Sequence, residues 1–217
     1  MKRTVWYISK YFDPKTTVSP GGRGWFLVEG LAGLGVDPVV ITSDSNQLIE
    51  PPALDRKVTQ ETRDGVTLLW LKTMKYRSAK SIRRIFSWLH FEWNILTFDK
   101  SCLPKPEVIV VSSLSLLSVL SGLLLKRKYN CRLVFEVRDI WPLTLVEEGG
   151  FGKRNPFVLA LSFVERLGYT RSDAIIGTMP NLSEHVRDVS GADTPVTFVP
   201  MGISESHVAE QSDLDPG

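Results

Sequence analysis

Short runs of β-branched and aromatic residues alternate with segments of helical hydrophobic spacing along most of the chain, and this alternation constrains the fold most strongly. The first unit is a strand at residues 5–8, a helix at 25–34 and a second strand at 39–41. Gly35 is placed to end the helix. A strand, a helix and a strand in this order favour parallel strands joined by a right-handed crossover.

The alternation resumes in the second half of the chain. Its predicted strands are 108–111, 133–137, 174–176 and 196–199, and its predicted helices are 114–125, 157–169 and 180–189. Residues 66–71 form a further strand, and the turn signal Asp64-Gly65 allows the region of Val58 to pair with it as a hairpin. We therefore predict an α/β fold, a doubly wound, mostly parallel, Rossmann-like sheet of about seven strands.

The uncharged run at residues 108–125 is almost long enough to cross a membrane. It begins with four β-branched residues, which Ser112 and Ser113 follow. A strand, a turn and a buried helix explain this pattern better than a membrane span. Lys2 and Arg3 precede a short strand rather than a long apolar segment, so we expect no signal peptide.

Composition excludes several kinds of site. Cys102 and Cys131 lie far apart and form no C-x-x-C motif, which fits a reducing compartment. The three histidines lack the spacing of zinc ligands, so we predict no metal site. The net charge of +2 at pH 7 does not indicate a polyanionic partner, and we predict no nucleic-acid binding.

The strand at residues 133–137 runs directly into a charged pair, Arg138 and Asp139, and Pro142 prevents an ordinary continuation of the strand. Ligands of open α/β sheets bind outside the carboxyl ends of the strands, so the pair is a candidate functional site. A structural salt bridge between the two side chains, or a loop cap, explains the same residues. Both interpretations stay open from the residues alone.

Gly21, Gly22 and Gly24 precede the first helix and allow the backbone to approach a phosphate or a sugar closely. The glycines, with Asp44 twenty positions after Gly24, also match part of a nicotinamide-dinucleotide fingerprint. However, Leu27 stands where the third glycine belongs, and the first strand ends well before the glycines. A nicotinamide-dependent enzyme is therefore the weaker alternative.

A basic and aromatic segment occupies the middle of the chain, since residues 65–91 contain no acid. Its helical spacing predicts a core-facing line at positions 82, 85, 89, 93 and 96, which positions 88 and 91 widen. In one interpretation the helix buries this line on the sheet and leaves its basic residues in water. In the other it lies on an anionic membrane surface. The predicted membrane contacts are Lys80, Arg83, Arg84, Phe86 and Trp88.

Several of these segments, taken in order, resemble the N-terminal domain of family-four retaining glycosyltransferases, which have the two-domain B-type fold. The similar segments are residues 19–24 with the following helix, residues 39–42, and residues 198–203, which resemble the V-I-P-N-G-V motif that closes the first domain. Residues 64–76, the motif R-D-I-W-P at 138–142, and residues 164–169 and 172–176 are similar to the O-antigen and capsule branch, which includes fucosamine transferases.

The resemblance implies an acceptor-binding domain at residues 1–203, followed at 204–217 by a polar tail or the start of a linker to a donor-binding domain. It implies a cytoplasmic enzyme, peripheral on the inner face of the plasma membrane. This enzyme would transfer a sugar from a nucleoside diphosphate sugar to a lipid-linked or polysaccharide acceptor, with retention of configuration and no cofactor. A stand-alone, non-catalytic sugar- or lipid-binding module is the alternative.

The predicted site follows from the resemblance together with the position of these residues at strand ends. Asp139 is expected to orient the acceptor hydroxyl or stabilise positive charge, and Arg138 to contact a phosphate or hold Asp139. Many family members have histidine in place of Arg138, so no histidine-based role is carried over. The predicted substrate contacts are Gly21, Gly22, Arg23, Ser112, Ser113 and Thr178.

Overall fold

A computed structural model describes residues 2–47, 49–76, 81–147 and 150–202; Lys80 and the predicted tail or linker at 204–217 lie outside the described residues. The strands are β1 (Thr4–Ile8), β2 (Asp37–Ser43), β3 (Val58–Arg63), β4 (Val66–Leu71), β5 (Val108–Ser112), β6 (Arg132–Val137), β7 (Ala174–Gly177) and β8 (Val196–Phe198). The helices are α1 (Arg23–Gly33), α2 (Ile82–Thr97), α3 (Ser118–Tyr129), α4 (Leu143–Glu147), α5 (Pro156–Arg171) and α6 (Leu182–Ser190), with one 3-10 turn at Ser113–Ser115.

The strands form one sheet in the order β3-β4-β2-β1-β5-β6-β7-β8. All neighbouring pairs are parallel except β3 and β4, which form the hairpin that the Asp64-Gly65 turn predicts. This arrangement confirms the predicted doubly wound α/β fold. The sheet has eight strands rather than about seven, because the hairpin partner β3 is a full edge strand.

The helices form two layers, one on each face of the sheet. On one face, α1 is the only helix among the described residues, with Trp25 and Val28 packed against side chains of β1, β2 and β4. On the other face the buried side chains of α2, α3, α5 and α6 share one core with the opposite sides of the strands. Both faces of the central strands are therefore buried, as the continuous apolar runs in the sequence predict.

The uncharged run at residues 108–125 forms β5, the 3-10 turn and most of α3, which confirms the predicted strand, turn and helix. Within the described ranges, no helix combines the length and the apolar character that crossing a bilayer requires. The same ranges contain no group of three or more histidine, cysteine or acidic side chains arranged to hold a metal ion.

Helix α2 faces the core with the opposite side from the one predicted. Trp88, Phe91 and Ile95 are buried in the core, whereas Leu89 and Trp93 of the predicted core line are exposed. The helix carries apolar residues on two opposite sides, so hydrophobic spacing alone could not choose between them. The prediction that Trp88 contacts a membrane is wrong, because that side chain is only 4% exposed.

Contacts with neighbouring elements fix the orientation of α2. The Trp88 indole N–H donates a hydrogen bond to the Tyr11 hydroxyl at 2.8 Å, and the Trp88 ring packs edge-on against Trp141 at 5.8 Å between centroids. The Arg84 guanidinium stacks over the Trp88 ring at 5.0 Å. Arg84 is therefore committed to contacts within the protein and is not the free membrane contact that the sequence suggested.

A buried carboxylate ties α2 to α3. Glu92 accepts hydrogen bonds from the hydroxyls of Ser118 at 2.7 Å and Ser121 at 2.5 Å. Desolvation raises the pKa of Glu92 to about 7, although the serine hydrogen bonds and the nearby Lys10 ammonium favour its charged form. Burial between α2 and α3 therefore moves the pKa of this carboxyl group from the acidic range towards neutral pH.

We predict that Glu92→Gln removes a pH dependence of stability between about pH 4.5 and 7. Because the pKa of Glu92 is higher in the folded chain, the native state binds the proton more tightly, and the stability that this contributes decreases as the pH rises through this interval. Glutamine keeps hydrogen-bonding capacity towards both serines but cannot titrate.

The free energy of unfolding of both proteins should be measured by urea denaturation across this pH interval. The difference between wild type and Glu92→Gln should decrease by roughly 1 to 3 kcal/mol as the pH rises. A constant difference would show that Glu92 does not titrate in this interval.

Candidate functional site

The candidate site lies at the carboxyl edge of the sheet, where the direction of winding changes. From β1 the chain proceeds to β2 and β4 on one side of the sheet, and from β5 it proceeds to β6, β7 and β8 on the other. The neighbouring strands β1 and β5 therefore define the switch point, where open α/β sheets bind their ligands. The connections after β1, β5 and β6 surround this position.

A buried ion pair lies beneath the switch point. Glu136, near the end of β6, is fully buried and accepts a hydrogen bond from the Arg23 Nε at 3.0 Å. Its other oxygen accepts a hydrogen bond from the Tyr7 hydroxyl at 2.5 Å. Burial raises the pKa of Tyr7 well above its usual value, and the adjacent Glu136 carboxylate adds to this effect. The three residues join β1, the start of α1 and β6.

Arg23 is a structural residue here rather than the predicted substrate contact. Its side chain is only 4% exposed, because the guanidinium lies against Glu136. Its Nη1 donates a hydrogen bond to the carbonyl oxygen of Pro200 at 2.8 Å, so it also holds the segment that follows β8. The prediction that Arg23 binds substrate is therefore wrong, because its guanidinium is buried against Glu136.

The glycine turn before α1 brings the loop after β1 close to the strand ends. Gly21 has a φ of +87°, and a Cβ atom there would lie 2.8 Å from the backbone nitrogen of Lys15. The N–H of Gly22 donates to the Asp13 carbonyl oxygen at 2.9 Å, and a Cβ at Gly24 would lie 2.9 Å from the Phe12 ring. The glycines thus allow the turn to pack closely against the loop after β1, and side chains at Gly21 and Gly24 would prevent this packing. The predicted approach of the Gly21 and Gly22 backbone to a sugar or a phosphate stays a prediction.

A cavity of about 90 Å³ lies between this turn and the end of β6. Its lining residues are Tyr7, Tyr11, Phe12, Asp13, Gly22, Gly24 and Arg138. The volume is that of roughly three water molecules in the liquid, which suits one polar group of a larger ligand. The cavity therefore brings the predicted residues Gly22 and Arg138 together, as the edge location requires.

Asp13 and Arg138 are the two charged side chains that line this cavity. No ion pair joins these two side chains within the described ranges, although both residues line the same cavity. Burial raises the pKa of Asp13. A ligand hydroxyl or phosphoryl group between the two residues would meet a carboxylate acceptor and a guanidinium donor.

Ser113 positions the turn that carries Arg138 and Asp139. Its Oγ accepts hydrogen bonds from the backbone N–H groups of Arg138 at 2.8 Å and Asp139 at 3.2 Å. The same hydroxyl donates to the Asp139 carbonyl oxygen at 3.3 Å. Ser113 is buried and therefore acts on the site through the backbone, not by the predicted direct contact with substrate.

The remaining predicted residues lie around the same edge of the sheet. Asp139 is exposed and does not line the cavity, and within the described ranges no salt bridge joins it to Arg138. The structural salt bridge considered for this pair is therefore not formed. Ser112 is buried at the end of β5, which contradicts its predicted contact with substrate, whereas Thr178 is half-buried directly after β7.

Sequence reasoning missed Asp13 and Glu136. Glu136 could have been found, because it is a single acid within the apolar run L-V-F-E-V, and such a residue needs a buried partner. Asp13 carries no comparable signal, since it lies in a polar loop that becomes part of the site only when the glycine turn folds against it.

Asp44 does not occupy the position of a ribose-binding acid. It is buried, and its carboxylate accepts hydrogen bonds from the Thr73 N–H at 2.8 Å and forms an ion pair with Lys75 at 2.9 Å. Both carboxylate oxygens are therefore used within the protein. This arrangement argues against the nicotinamide interpretation of the glycine segment.

Comparison with known proteins gives a family match over most of the chain. The family described as "Glycosyl transferase 4-like domain" matches residues 25–202. This interval begins within α1 and ends at the last described residue, so it includes Arg138, Asp139 and Glu136. A search of curated protein sequences found no match.

Solved structures give the same fold at low sequence identity. Sucrose-phosphate synthase from Thermosynechococcus elongatus matches 99% of this chain with a TM-score of 0.62 and 16% identity. Trehalose-6-phosphate synthase from E. coli, solved with UDP-2-fluoro glucose, matches 98% with a TM-score of 0.62 and 11% identity. The chain spans about half the length of these proteins, 53% and 52% respectively.

We predict that Glu136→Ala destabilises the fold by about 3 to 5 kcal/mol, because it leaves the Arg23 guanidinium buried without its carboxylate. The matched control is Glu107→Ala, which removes a surface pair with Arg3 whose side chains are 83% and 59% exposed and should cost at most about 1 kcal/mol. Urea denaturation of both variants gives the comparison. Equal losses would contradict a structural role for the buried pair.

Proposed function

The chain belongs to the glycosyl transferase 4-like family, and from this membership we propose that it is the N-terminal, acceptor-binding domain of a retaining glycosyltransferase. The enzyme transfers a sugar from a nucleoside diphosphate sugar to a lipid-linked or polysaccharide acceptor in cell-surface polysaccharide synthesis of the O-antigen or capsule type. The UDP-2-fluoro glucose bound to the E. coli relative supports a nucleotide sugar as the donor.

The observation that carries this proposal is the cavity at the switch point, which Arg138 and Asp13 line together with Gly22. A glycosyltransferase must bring an acceptor hydroxyl and a charged diphosphate to one sugar carbon. The cavity offers one donor for anionic oxygen and one acceptor for a hydroxyl proton within a single small space. A second domain would close over this edge of the sheet and carry the donor.

The reaction itself assigns a role to each charge. The bond between the sugar carbon and the diphosphate oxygen breaks with its electron pair on the diphosphate, while the acceptor oxygen bonds to the same carbon and its proton passes to the departing diphosphate. Arg138 stabilises the negative charge that develops on the diphosphate. Asp13 orients the acceptor hydroxyl, and Asp139 at the rim stabilises positive charge on the sugar.

We predict that Arg138→Ala, Asp13→Asn and Asp139→Asn each lower kcat/KM by on the order of a hundredfold, because each removes one electrostatic contact in the transition state. The protein that the natural gene encodes should be assayed for sugar transfer from a panel of nucleotide sugars. Asp188→Asn is the control, because this aspartate is exposed on α6, away from the switch point.

The pattern of the three variants separates the possible roles. Loss of activity in Asp13→Asn with normal kinetics for Asp139→Asn would leave Asp139 as an exposed loop residue. Normal kinetics for all three variants would contradict the proposed site. Ligand binding without any turnover by the wild-type protein would favour the stand-alone binding module.

We also predict that the 217-residue chain folds but transfers no sugar, because transition-state binding requires the donor half of the site as well. Circular dichroism and urea denaturation establish folding, and the same transfer assay measures activity. Robust turnover by the 217-residue chain would overturn the assignment of this domain to the acceptor half alone.

A further inference from the structure

Three neighbouring helices, α2, α3 and α5, form one layer on the same face of the sheet. Glu92 joins α2 to α3 through Ser118 and Ser121, and the Lys126 ammonium of α3 donates to the carbonyl oxygen of Arg171 at the end of α5 at 3.0 Å. All three bury one side in the same core. Their opposite sides therefore point away from the sheet in a common direction, and we call these sides the three-helix surface.

The three-helix surface is unusually apolar. Of the fifteen exposed large hydrophobic residues in the described ranges, eight lie on these three helices. They are Phe86, Leu89, Trp93 and Leu96 on α2, Leu120 and Leu124 on α3, and Leu159 and Phe163 on α5. Trp93 and Phe163 are 66% and 65% exposed. Apolar residues concentrated in this way mark an interaction surface rather than ordinary scatter.

The charges of the same three helices have one sign at the surface. Their acids are Glu92 and Glu165, and both are buried in hydrogen bonds with other residues. Five basic residues of these helices are exposed: Arg83, Arg127, Lys128, Arg166 and Arg171. The exposed sides of these three helices thus combine apolar and basic residues without an exposed acid, whereas the neighbouring α6 carries exposed Glu184 and Asp188. A partner that is both apolar and anionic fits the three-helix surface.

We propose that the three-helix surface docks on an anionic lipid bilayer. Helices that lie in the plane of a bilayer place aromatic and aliphatic side chains at the boundary between head groups and acyl chains, and basic side chains at the head groups. Trp93, Phe86 and Phe163 supply the inserted side chains. The attraction to anionic lipids comes from Arg83, Arg127 and Arg166, which lie on the same helices.

The docked orientation has a geometric consequence for the candidate site. The layer separates the sheet from the bilayer, and Tyr7, Phe12 and Gly24 line the cavity from the α1 face, so the cavity lies farther from the lipid surface than one helix diameter, roughly 10 to 12 Å. A lipid-linked acceptor would therefore have to extend from the bilayer past the carboxyl edge of the sheet to reach the cavity. This consequence rests on the proposed function, whereas the docking does not and is tested without any sugar substrate.

Trp93 provides a direct probe of docking. The other five of the six tryptophans are buried, at 8% exposure or less. Vesicles of phosphatidylcholine with increasing phosphatidylglycerol should therefore shift the emission of Trp93 to shorter wavelength and protect it from acrylamide quenching. Pure phosphatidylcholine vesicles should have little effect, and high salt should weaken binding, because the basic residues act through a screened field.

Matched variants separate apolar insertion from charge. Phe163→Ser keeps the Trp93 probe and should weaken binding by roughly tenfold. Its control is Leu34→Ser, since Leu34 is 82% exposed but follows α1 on the opposite face of the sheet.

The double variant Arg83→Glu, Arg166→Glu tests the contribution of charge and should weaken binding by at least about tenfold. Its control is Arg56→Glu, which should bind normally, because Arg56 is exposed before β3 and lies outside the three-helix surface. Arg84 is left unchanged, because it stacks on Trp88.

Circular dichroism and thermal midpoints verify that each variant is folded. We expect Phe163→Ser and the double variant Arg83→Glu, Arg166→Glu to lose lipid binding. Both controls should bind vesicles normally. Three outcomes would overturn the proposal. They are equal binding to neutral and anionic vesicles, sedimentation with vesicles without a change in Trp93 emission, or a loss of binding in Leu34→Ser as large as that in Phe163→Ser. A shift of Trp93 emission with protein concentration and without lipid would instead identify a second copy of the chain as the occupant.

Discussion

The arrangement of the candidate site depends on one buried carboxylate. Glu136 binds the Arg23 guanidinium and the Tyr7 hydroxyl, and so holds together β6, the start of α1 and β1. With α1 held at this point, the glycine turn comes close enough to the strand ends to enclose the cavity with Asp13 and Arg138. The charges that face a ligand are therefore positioned by a charge pair that no ligand reaches, because that pair is buried.

Most of the fold could be predicted from sequence, because strand and helix patterns are local. The parallel strands are apolar runs between turn residues, and the β3–β4 hairpin follows from Asp64-Gly65. The orientation of α2 could not be predicted, because Phe91 and Trp93 lie on opposite apolar sides of the same helix. Long-range contacts decided the choice: Trp88 packs against Trp141, and Glu92 binds serines of α3.

The candidate site was predictable to the extent that strand ends identify it. Arg138 and Gly22 follow from the rule that ligands bind at carboxyl ends, and the structure places both beside one cavity. Arg23, Ser112 and Ser113 lie at the same edge, but they are buried. Sequence position alone does not separate a residue that faces the ligand from one that holds the backbone. Asp13 required the folded glycine turn to become part of the site.

The hydrogen bond from Arg23 to the carbonyl oxygen of Pro200 links this edge of the sheet to the chain that follows β8. The other terminal nitrogen of the Arg23 guanidinium, Nη2, is already buried without a hydrogen bond in the described part of the protein. Pulling residues 200–202 away would leave a second buried N–H group of the same guanidinium unpaired, at a cost of about 1 to 3 kcal/mol. The position of residues 200–202 is thus coupled to the start of α1, because Arg23 is the first residue of that helix.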